Sequence, residues 1–163
     1  MNIFKRVAPV IALLGFLTVS SLPIAQSMPL KESFVTQQQV RYTATTMSTN
    51  TAPSVIRSRT YKAWKNGEFR WSSDIQWRCF DNIIKKESAW NPWSTNGMGW
   101  EETGGIPQAH PSRKMASAGK DYRRNAWTQI RWGLGYIYSV YGTPCRAWDR
   151  WQYRAATGKY GWY

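Results

Sequence analysis

Histidine, cysteine and acidic residues are scarce in this chain of 163 residues. There are one histidine and two cysteines, and nine acidic residues stand against 22 basic ones. One histidine and two cysteines are too few for a zinc site, so we expect neither a metal nor another cofactor. The two cysteines, Cys79 and Cys145, are expected to pair as a disulfide in an oxidising compartment.

Long apolar runs are also missing, with one exception near the N terminus. Lys5 and Arg6 precede a mostly apolar run at 7–24, which small residues follow at Ala25 and Ser27. This pattern is typical of a signal peptide, and we predict cleavage after Ser27 or, alternatively, after Ala25. An uncleaved N-terminal membrane anchor is the other interpretation, because the run approaches the length that spans a bilayer. Either way, the chain is predicted to be exported.

Basic residues and aromatic rings are what the chain has in excess. The formal net charge is +13, with 11 tryptophans and nine tyrosines. A basic exported protein usually faces an anionic partner such as phospholipid, nucleic acid or the cell wall. So many rings suit an aromatic core, or a surface that stacks on flat ligands such as sugars. The densest basic cluster consists of Arg113, Lys114, Lys120, Arg123, Arg124 and Arg131.

Composition divides the chain into three parts. After the signal segment 1–27, residues 28–61 are rich in Ser, Thr and Gln and are predicted to be a disordered linker. Residues 62–163 are predicted to form a mainly α domain, because they carry helical patterns and show no internal repeat, no convincing strand and no phosphate-binding glycine loop. An irregular segment at 91–124, broken by Gly and Pro, is long enough to be functional.

The most informative segment lies at 73–92. Ser73, with Gln76 three residues later, predicts a helix start, and Asn91-Pro92 predicts its end. Apolar residues at three- and four-residue spacing predict one buried stripe, made of Ile75, Cys79, Phe80, Ile83 and Ile84. The opposite face carries Arg78, Asp81, Asn82, Lys85 and Lys86.

Glu87 continues the apolar stripe of this helix rather than the charged face. Burial disfavours an ionised carboxylate, and so does the partial negative charge of a helix C terminus, so both effects predict a raised pKa. A carboxyl group of that kind can donate a proton near neutral pH, as cleavage of a glycosidic bond requires. The structural alternative is that Glu87 faces solvent or pairs with a lysine.

A second strong helix is predicted from Ala126 to Tyr141, with Asn125 as its cap and with Gly142 and Pro144 beyond its end. Its core stripe consists of Ile130, Leu134, Ile137 and Tyr141. Trp132, Tyr136 and Val140 form another face, toward a cleft or the first helix. Two interior glycines, Gly133 and Gly135, are expected to let another backbone come close. One more short helix is predicted at 145–153.

Four blocks of sequence resemble lytic transglycosylases of the lysozyme-like superfamily, in particular the short exported actinobacterial and phage type. The blocks are ESAWNP at 87–92, GIPQA at 105–109, KMASAG at 114–119 and QIRWGLGYI at 129–137. The resemblance covers about residues 75–163 and implies a small lysozyme-like helical domain. Two features depart from the family pattern: Ala89 stands where a glycine is usual, and the segment 93–104 lacks the common Ser-Gly-Ala-Tyr run.

The resemblance implies that Glu87 is the single catalytic acid and base of a peptidoglycan lytic transglycosylase. It would protonate the glycosidic oxygen between N-acetylmuramic acid and N-acetylglucosamine, then take a proton from the muramoyl C6 hydroxyl, which closes a 1,6-anhydro ring. Substrate contacts are expected for Ser88, Gln108 and Tyr136, and for Thr103 and Trp100 in the divergent loop. The enzyme is expected to be a monomer that is secreted or located at the cell wall. Its expected partner is the glycan strand of peptidoglycan. No nucleic-acid partner is expected. Contact with a membrane is expected only if the N-terminal segment stays uncleaved.

Other functions stay open. Glu101 or Glu102 could activate a water molecule, which would make the protein a hydrolytic muramidase. Aromatic and basic residues interleaved at 127–141 would also suit a cationic module that binds cell wall or nucleic acid without catalysis. A membrane-disrupting protein is disfavoured, because the helices carry ordinary core stripes. Candidate sugar-stacking rings in the loop are Trp90, Trp93 and Trp100.

Overall fold

The computed structural model describes residues 46–95, 97 and 99–159. Over these ranges the chain is mainly helical, and its only β pairing is in isolated bridges. A 3-10 helix, Ser112–Ser117, accompanies four α-helices: α1 (Pro53–Lys65), α2 (Asp74–Glu87), α3 (Ala126–Tyr141) and α4 (Pro144–Ala156). None of these described helices has the length and apolar composition needed to cross a bilayer. The predicted signal segment 1–27 and most of the predicted linker lie outside the described residues.

Helix α1 corrects the predicted linker. Pro53 begins it, because proline fixes φ in the first turn and needs no N–H partner there. The helix buries Ile56, Thr60, Ala63 and Trp64. The predicted domain boundary at residue 62 therefore lies inside a packed helix, and the prediction of disorder is wrong for residues 53–61.

The segment before α1 is packed as well. Met47 is buried, its N–H donates to Oδ1 of Asn125 at 3.1 Å, and its carbonyl accepts from the N–H of Ala126 at 2.7 Å. The N–H of Thr49 donates to the carbonyl of Arg124 at 3.2 Å. These bonds attach the segment to the start of α3, so residues 46–52 also belong to the compact unit.

Helix α2 begins where predicted, with the hydroxyl of Ser73 accepting from the N–H of Gln76. It ends at Glu87, earlier than the Asn91-Pro92 stop, because Ala89 and Trp90 adopt left-handed φ values of 51° and 66°. The predicted faces need two corrections. Ile75 is 61% exposed, and Asp81 is buried rather than solvent-facing.

The burial of Asp81 is explained by three donors. Its carboxylate accepts from Arg57 at 2.6 and 2.8 Å, from Lys85 at 2.9 Å and from the indole N–H of Trp90 at 3.0 Å. Burial alone would raise the pKa of Asp81, but these hydrogen bonds outweigh it and hold the pKa below its ordinary value. Asp81 thus serves as an ionised anchor that joins α1, α2 and the turn after α2.

Helix α3 has the predicted bounds, with Asn125 as its cap and Gly142 at a φ of 78° after its end. Ile130, Leu134 and Ile137 are buried, as predicted. A Cβ on Gly133 would lie 2.9 Å from the Cβ of Pro107. The glycine therefore admits a proline side chain of the long loop, rather than the backbone that the sequence predicted.

One part of the core is a cluster of aromatic rings around Trp64, which is fully buried. Its ring lies 5.8 Å from that of Phe80, in stacked geometry, and 5.5 Å from that of Trp77, edge to face. Trp77 and Phe80 each lie 5.7 Å from Trp90. Such pairs add stabilisation of about 0.5–1.5 kcal/mol each beyond area burial. This cluster fixes the position of α2, whose last residue is Glu87.

Candidate active site

Glu87 is the last residue of α2, and its carboxyl group is largely buried. Burial raises the pKa of Glu87 from 4.5 to about 7, and a hydrogen bond from the Trp151 side chain opposes part of that rise. No ion pair within the described residues involves Glu87. Glu87 and Asp81, on one helix, therefore have pKa values displaced in opposite directions, which is the pattern that separates a proton donor from a structural carboxylate.

Helix α4 brings Trp151 to Glu87 because it packs along α2. The disulfide Cys79–Cys145, predicted from the sequence, joins the two helices near the start of α4. Beside it, the N–H of Cys145 donates to Oε1 of Gln76 at 3.1 Å. Further along, Trp151 stacks on Trp148 at 5.1 Å, and Nζ of Lys86 lies 5.7 Å from the Trp151 ring. The sequence analysis did not identify Trp151, since nothing local marks which face of α4 meets α2.

Replacement of Trp151 by Phe tests the hydrogen bond to Glu87. An indole N–H can only donate, and it stabilises the ionised carboxylate. Its removal is expected to raise the pKa of Glu87 above its present value of about 7, since a hydrogen bond to a charged group is worth roughly 1.5–3 kcal/mol and water replaces only part of it. Titration of the Glu87 side-chain carboxyl by ¹³C NMR measures the change. Trp148→Phe is the control, and an equal rise there would contradict a specific role for the Trp151 N–H.

The turn after Glu87 connects the end of α2 to the long loop. The hydroxyl of Ser88 donates to the carbonyl of Ile106 at 2.8 Å and is buried. Pro107 and Gln108, which follow Ile106, line a cavity. Ser88, predicted to contact substrate, thus holds the loop against α2, and Glu87 itself is not among the residues that line the cavity.

The cavity has a volume of about 180 Å³ and is lined by Pro107, Gln108, Ala109, His110, Lys114, Trp132 and Tyr136. It brings together Gln108 and Tyr136, two of the predicted substrate contacts. The rings of Trp132 and Tyr136 are stacked at 5.4 Å on this face of α3, and both line the cavity, which is one of the two surroundings that the sequence allowed for the face. Val140, assigned to the same face, is 52% exposed.

Tyr136 also packs against the main core. Its ring meets that of Tyr141 edge to face at 6.3 Å, and both pack against the main core, as does Trp151. Burial, with the neighbouring Tyr136, raises the pKa of Tyr141 to about 12. Tyr141 therefore stays protonated near neutral pH and can act there as a hydrogen-bond donor rather than as a base.

Gln108 has a left-handed φ of 49° and is buried. Its Nε2 donates to the carbonyls of Ser94 and Gly105, both at 2.9 Å. The two hydrogen bonds of the amide group stabilise the conformation of the loop. The residue also forms part of the cavity wall. The side chain is a structural element of the site as well as a candidate contact.

Gln129 is a residue of the site that the sequence analysis missed. It is fully buried on α3; its Oε1 accepts from the N–H of Ile106 at 2.9 Å, and its Nε2 donates to the carbonyl of Tyr122 at 2.9 Å. A Cβ on Gly105 would lie 2.8 Å from that Oε1. Gln129 therefore ties the middle and the C-terminal end of the long loop to α3, beside Pro107 and Gln108 of the cavity wall.

The other predicted loop residues have internal partners. Thr103 is buried, and its hydroxyl lies 3.0 Å from Nδ1 of His110. Trp100 is half-buried, and its indole N–H donates to the carbonyl of Pro92 at 3.2 Å. Neither lines the cavity. Trp90, a candidate stacking ring, is buried in the main core and has no surface to offer a sugar.

The two candidate second carboxylates differ in their surroundings. Glu101 forms a two-pronged ion pair with Arg123, at 2.6 Å and 2.7 Å. Glu102 is exposed. Within the described residues no group of three His, Cys, Asp or Glu side chains could hold a metal ion.

Comparisons of the chain with protein-family models, with curated proteins and with solved structures found no match. The assignment of function therefore depends on the chemistry of the site.

Proposed function

We propose that this protein is a peptidoglycan lytic transglycosylase of the lysozyme-like superfamily, with Glu87 as its general acid and base. The observation that carries the proposal is the buried Glu87 carboxyl, with a pKa of about 7, at the end of a rigid helix. A pKa in this range lets the group be protonated near neutral pH and still accept a proton once it is ionised, as a residue serving first as acid and then as base requires.

The proposed reaction cleaves the β-1,4 bond between N-acetylmuramic acid and N-acetylglucosamine. Protonated Glu87 gives its proton to the glycosidic oxygen, so that the leaving sugar departs as a neutral alcohol. The resulting carboxylate then accepts the proton of the muramoyl C6 hydroxyl as that oxygen attacks C1. The product is a 1,6-anhydro ring, and Glu87 ends protonated as it began.

Two other carboxylates, Asp81 and Glu101, are engaged with their own partners, which favours this intramolecular route over hydrolysis through either of them. Hydrolytic glycosidases generally use a second carboxylate, as nucleophile or as the base that activates water. Asp81 is enclosed by its donors, and Glu101 is paired with Arg123. One carboxyl suffices when the substrate supplies its own nucleophile. The cavity with the stacked Trp132 and Tyr136 rings would hold sugar, and the excess of basic residues would attract the anionic wall.

The proposal is tested by mass spectrometry of the fragments that the protein releases from purified peptidoglycan. The wild type is expected to release products ending in 1,6-anhydromuramic acid. Glu87→Gln cannot transfer a proton, so release should fall by a factor of about 10²–10⁴. Glu101→Gln and Glu102→Gln are matched controls and should keep the wild-type products.

Two results would contradict the proposed reaction. Reducing ends in place of anhydro ends, lost in Glu101→Gln or Glu102→Gln, would identify a hydrolytic muramidase. No release from several wall types, with tight binding to them, would identify a binding module.

A further inference from the structure

Trp93 presents an indole ring that the proposed reaction does not use. The residue is 48% exposed, yet its position is fixed. The indole N–H donates to the carbonyl of Thr49 at 3.1 Å, and the backbone N–H donates to Oδ1 of Asn91 at 3.0 Å. A large ring held in place at the surface loses little conformational entropy when a ligand contacts it. The residue therefore has the properties of a preformed stacking surface.

Trp93 continues into a row of rings, which we call the aromatic strip: Trp93, Trp100 and Tyr122. The centroids of Trp93 and Trp100 are 6.0 Å apart with the rings tilted by 47°, and Trp100 stacks on Tyr122 at 5.9 Å and 18°. Trp100 is fixed by its own bond to the carbonyl of Pro92. Because Tyr122 is buried, the strip rises from the protein interior to the exposed Trp93.

Charged groups border the strip. The guanidinium carbon of Arg123 lies 5.3 Å from the ring centroid of Trp100, and Arg123 is paired with Glu101. The side chains of both are more than half exposed, at 52% and 62%. Together they supply planar donors and acceptors beside an apolar ring.

We propose that the aromatic strip binds a pyranose ring of a neutral saccharide. The apolar C–H face of the sugar would stack on Trp93, and its hydroxyl or acetamido groups would exchange hydrogen bonds with Arg123 and Glu101. A polyanion such as single-stranded nucleic acid fits less well, because the Glu101 carboxylate already opposes the positive charge of Arg123. The pairing of Arg123 with Glu101 thus favours a sugar over a phosphate backbone at the side of Trp100 where Arg123 lies.

The strip is separate from the cavity but adjoins it. None of its three rings lines the cavity. Trp100 from the strip and Trp132 from the cavity pack against the same small cluster of Ala109, Met115 and Tyr122. The strip would therefore hold a sugar unit away from Glu87 on a glycan that also enters the cavity. Only this choice of a wall glycan as the ligand rests on the proposed function; the stacking site itself does not.

The test uses the full chain carrying Glu87→Gln, so that binding is measured without cleavage, and tri-N-acetylchitotriose as the probe. Titration is followed by the ¹⁵N-labelled indole N–H signals in NMR. The signals of Trp93 and Trp100 are expected to move, and Trp93→Ala should weaken binding about tenfold or more, as loss of an aromatic anchor does. Tyr153→Ala is the matched control, since Tyr153 is 54% exposed on α4; it should bind as the parent does.

Several outcomes would overturn the saccharide site. Movement of the Trp132 signal alone, or unchanged affinity in Trp93→Ala, would show that the sugar binds only at the cavity. If an oligothymidylate moves the Trp93 signal and the saccharide does not, the ligand of the strip is nucleic acid rather than sugar. If Trp93→Ala fails to fold, the indole signals of the parent protein still show whether the saccharide contacts Trp93. Trp93→Phe keeps a ring and should retain most of the affinity. Release of anhydro products by wild type is a separate result, so either proposal can fail alone.

Discussion

At about pH 8, the free energy of unfolding of Glu87→Gln is expected to exceed that of the wild type by about 3 kcal/mol. Near pH 4 the two proteins should have almost equal free energies of unfolding. The reason is the pKa of Glu87, which is 4.5 ordinarily and about 7 in the folded protein. Between these values the folded state binds more protons than the unfolded state, so wild-type stability falls as pH rises. Above the folded pKa the loss is complete. A neutral amide at position 87 has no such loss.

Urea unfolding of both proteins at a series of pH values measures this difference directly. Asp74, Asp81 and Asp121 have lowered pKa values, so the stability they contribute is lost as pH falls through their folded values. That loss occurs in both proteins and cancels in the difference. Glu102→Gln, at an exposed carboxylate, is the matched control and should show little change at any pH, since solvent screens surface charges.

A difference that stays constant from acid to alkaline pH would show that Glu87 ionises as an ordinary carboxyl group does, and the argument for a proton donor would fail with it. The expected result instead links a cost in stability to a proposed gain in activity. Stability alone would favour replacement of such a residue, so a stability cost of this kind would be in keeping with the role proposed for Glu87.

The parts of the fold that the sequence predicted are those with local signals. Ser73 and Asn125 mark the starts of α2 and α3 because a short polar side chain can accept from the first free N–H groups of a helix. Spacing alone placed Glu87 on a buried face. The disulfide could be predicted because the chain has two cysteines and is itself predicted to be exported.

Helix α1 was missed for a physical reason. It has a proline at its start instead of a side-chain cap, and its buried face includes Thr60 and Ala63, which a hydrophobicity pattern does not reveal. The spacing of Ile56, Thr60, Ala63 and Trp64 was the available signal. Its burial depends on partners far along the chain, such as Asp81, which meets Arg57.

The sequence named residues of the candidate site, whose role stays a prediction, but not the contacts that position them. Glu87, Gln108 and Tyr136 could be named, but Ser88, Gln108 and Thr103 all use side-chain groups to shape the loop. Gln129 and Trp151 act through contacts between separate helices and the loop, which no local pattern specifies.

The disulfide is expected to contribute about 4 kcal/mol to the free energy of unfolding, because it closes a loop with a sequence separation of 66 residues in the unfolded chain. The variant with both Cys79→Ser and Cys145→Ser should therefore unfold at a clearly lower urea concentration than the wild type. Circular dichroism at neutral pH follows the transition.

A reductant supplies the control for this comparison. Dithiothreitol added during unfolding should lower the stability of the wild type to about that of the double variant and leave the double variant unchanged. Equal stability of wild type and variant without reductant would contradict the pairing. Since the same bond holds α4 along α2, its loss should also loosen Trp151 from Glu87 and expose the carboxyl group. Because burial is the larger cause of the raised pKa, the pKa of Glu87 should then fall toward 4.5, opposite to the change expected for Trp151→Phe. A fall in stability with an unchanged Glu87 pKa would mean that the remaining contacts between α2 and α4 position Trp151 by themselves.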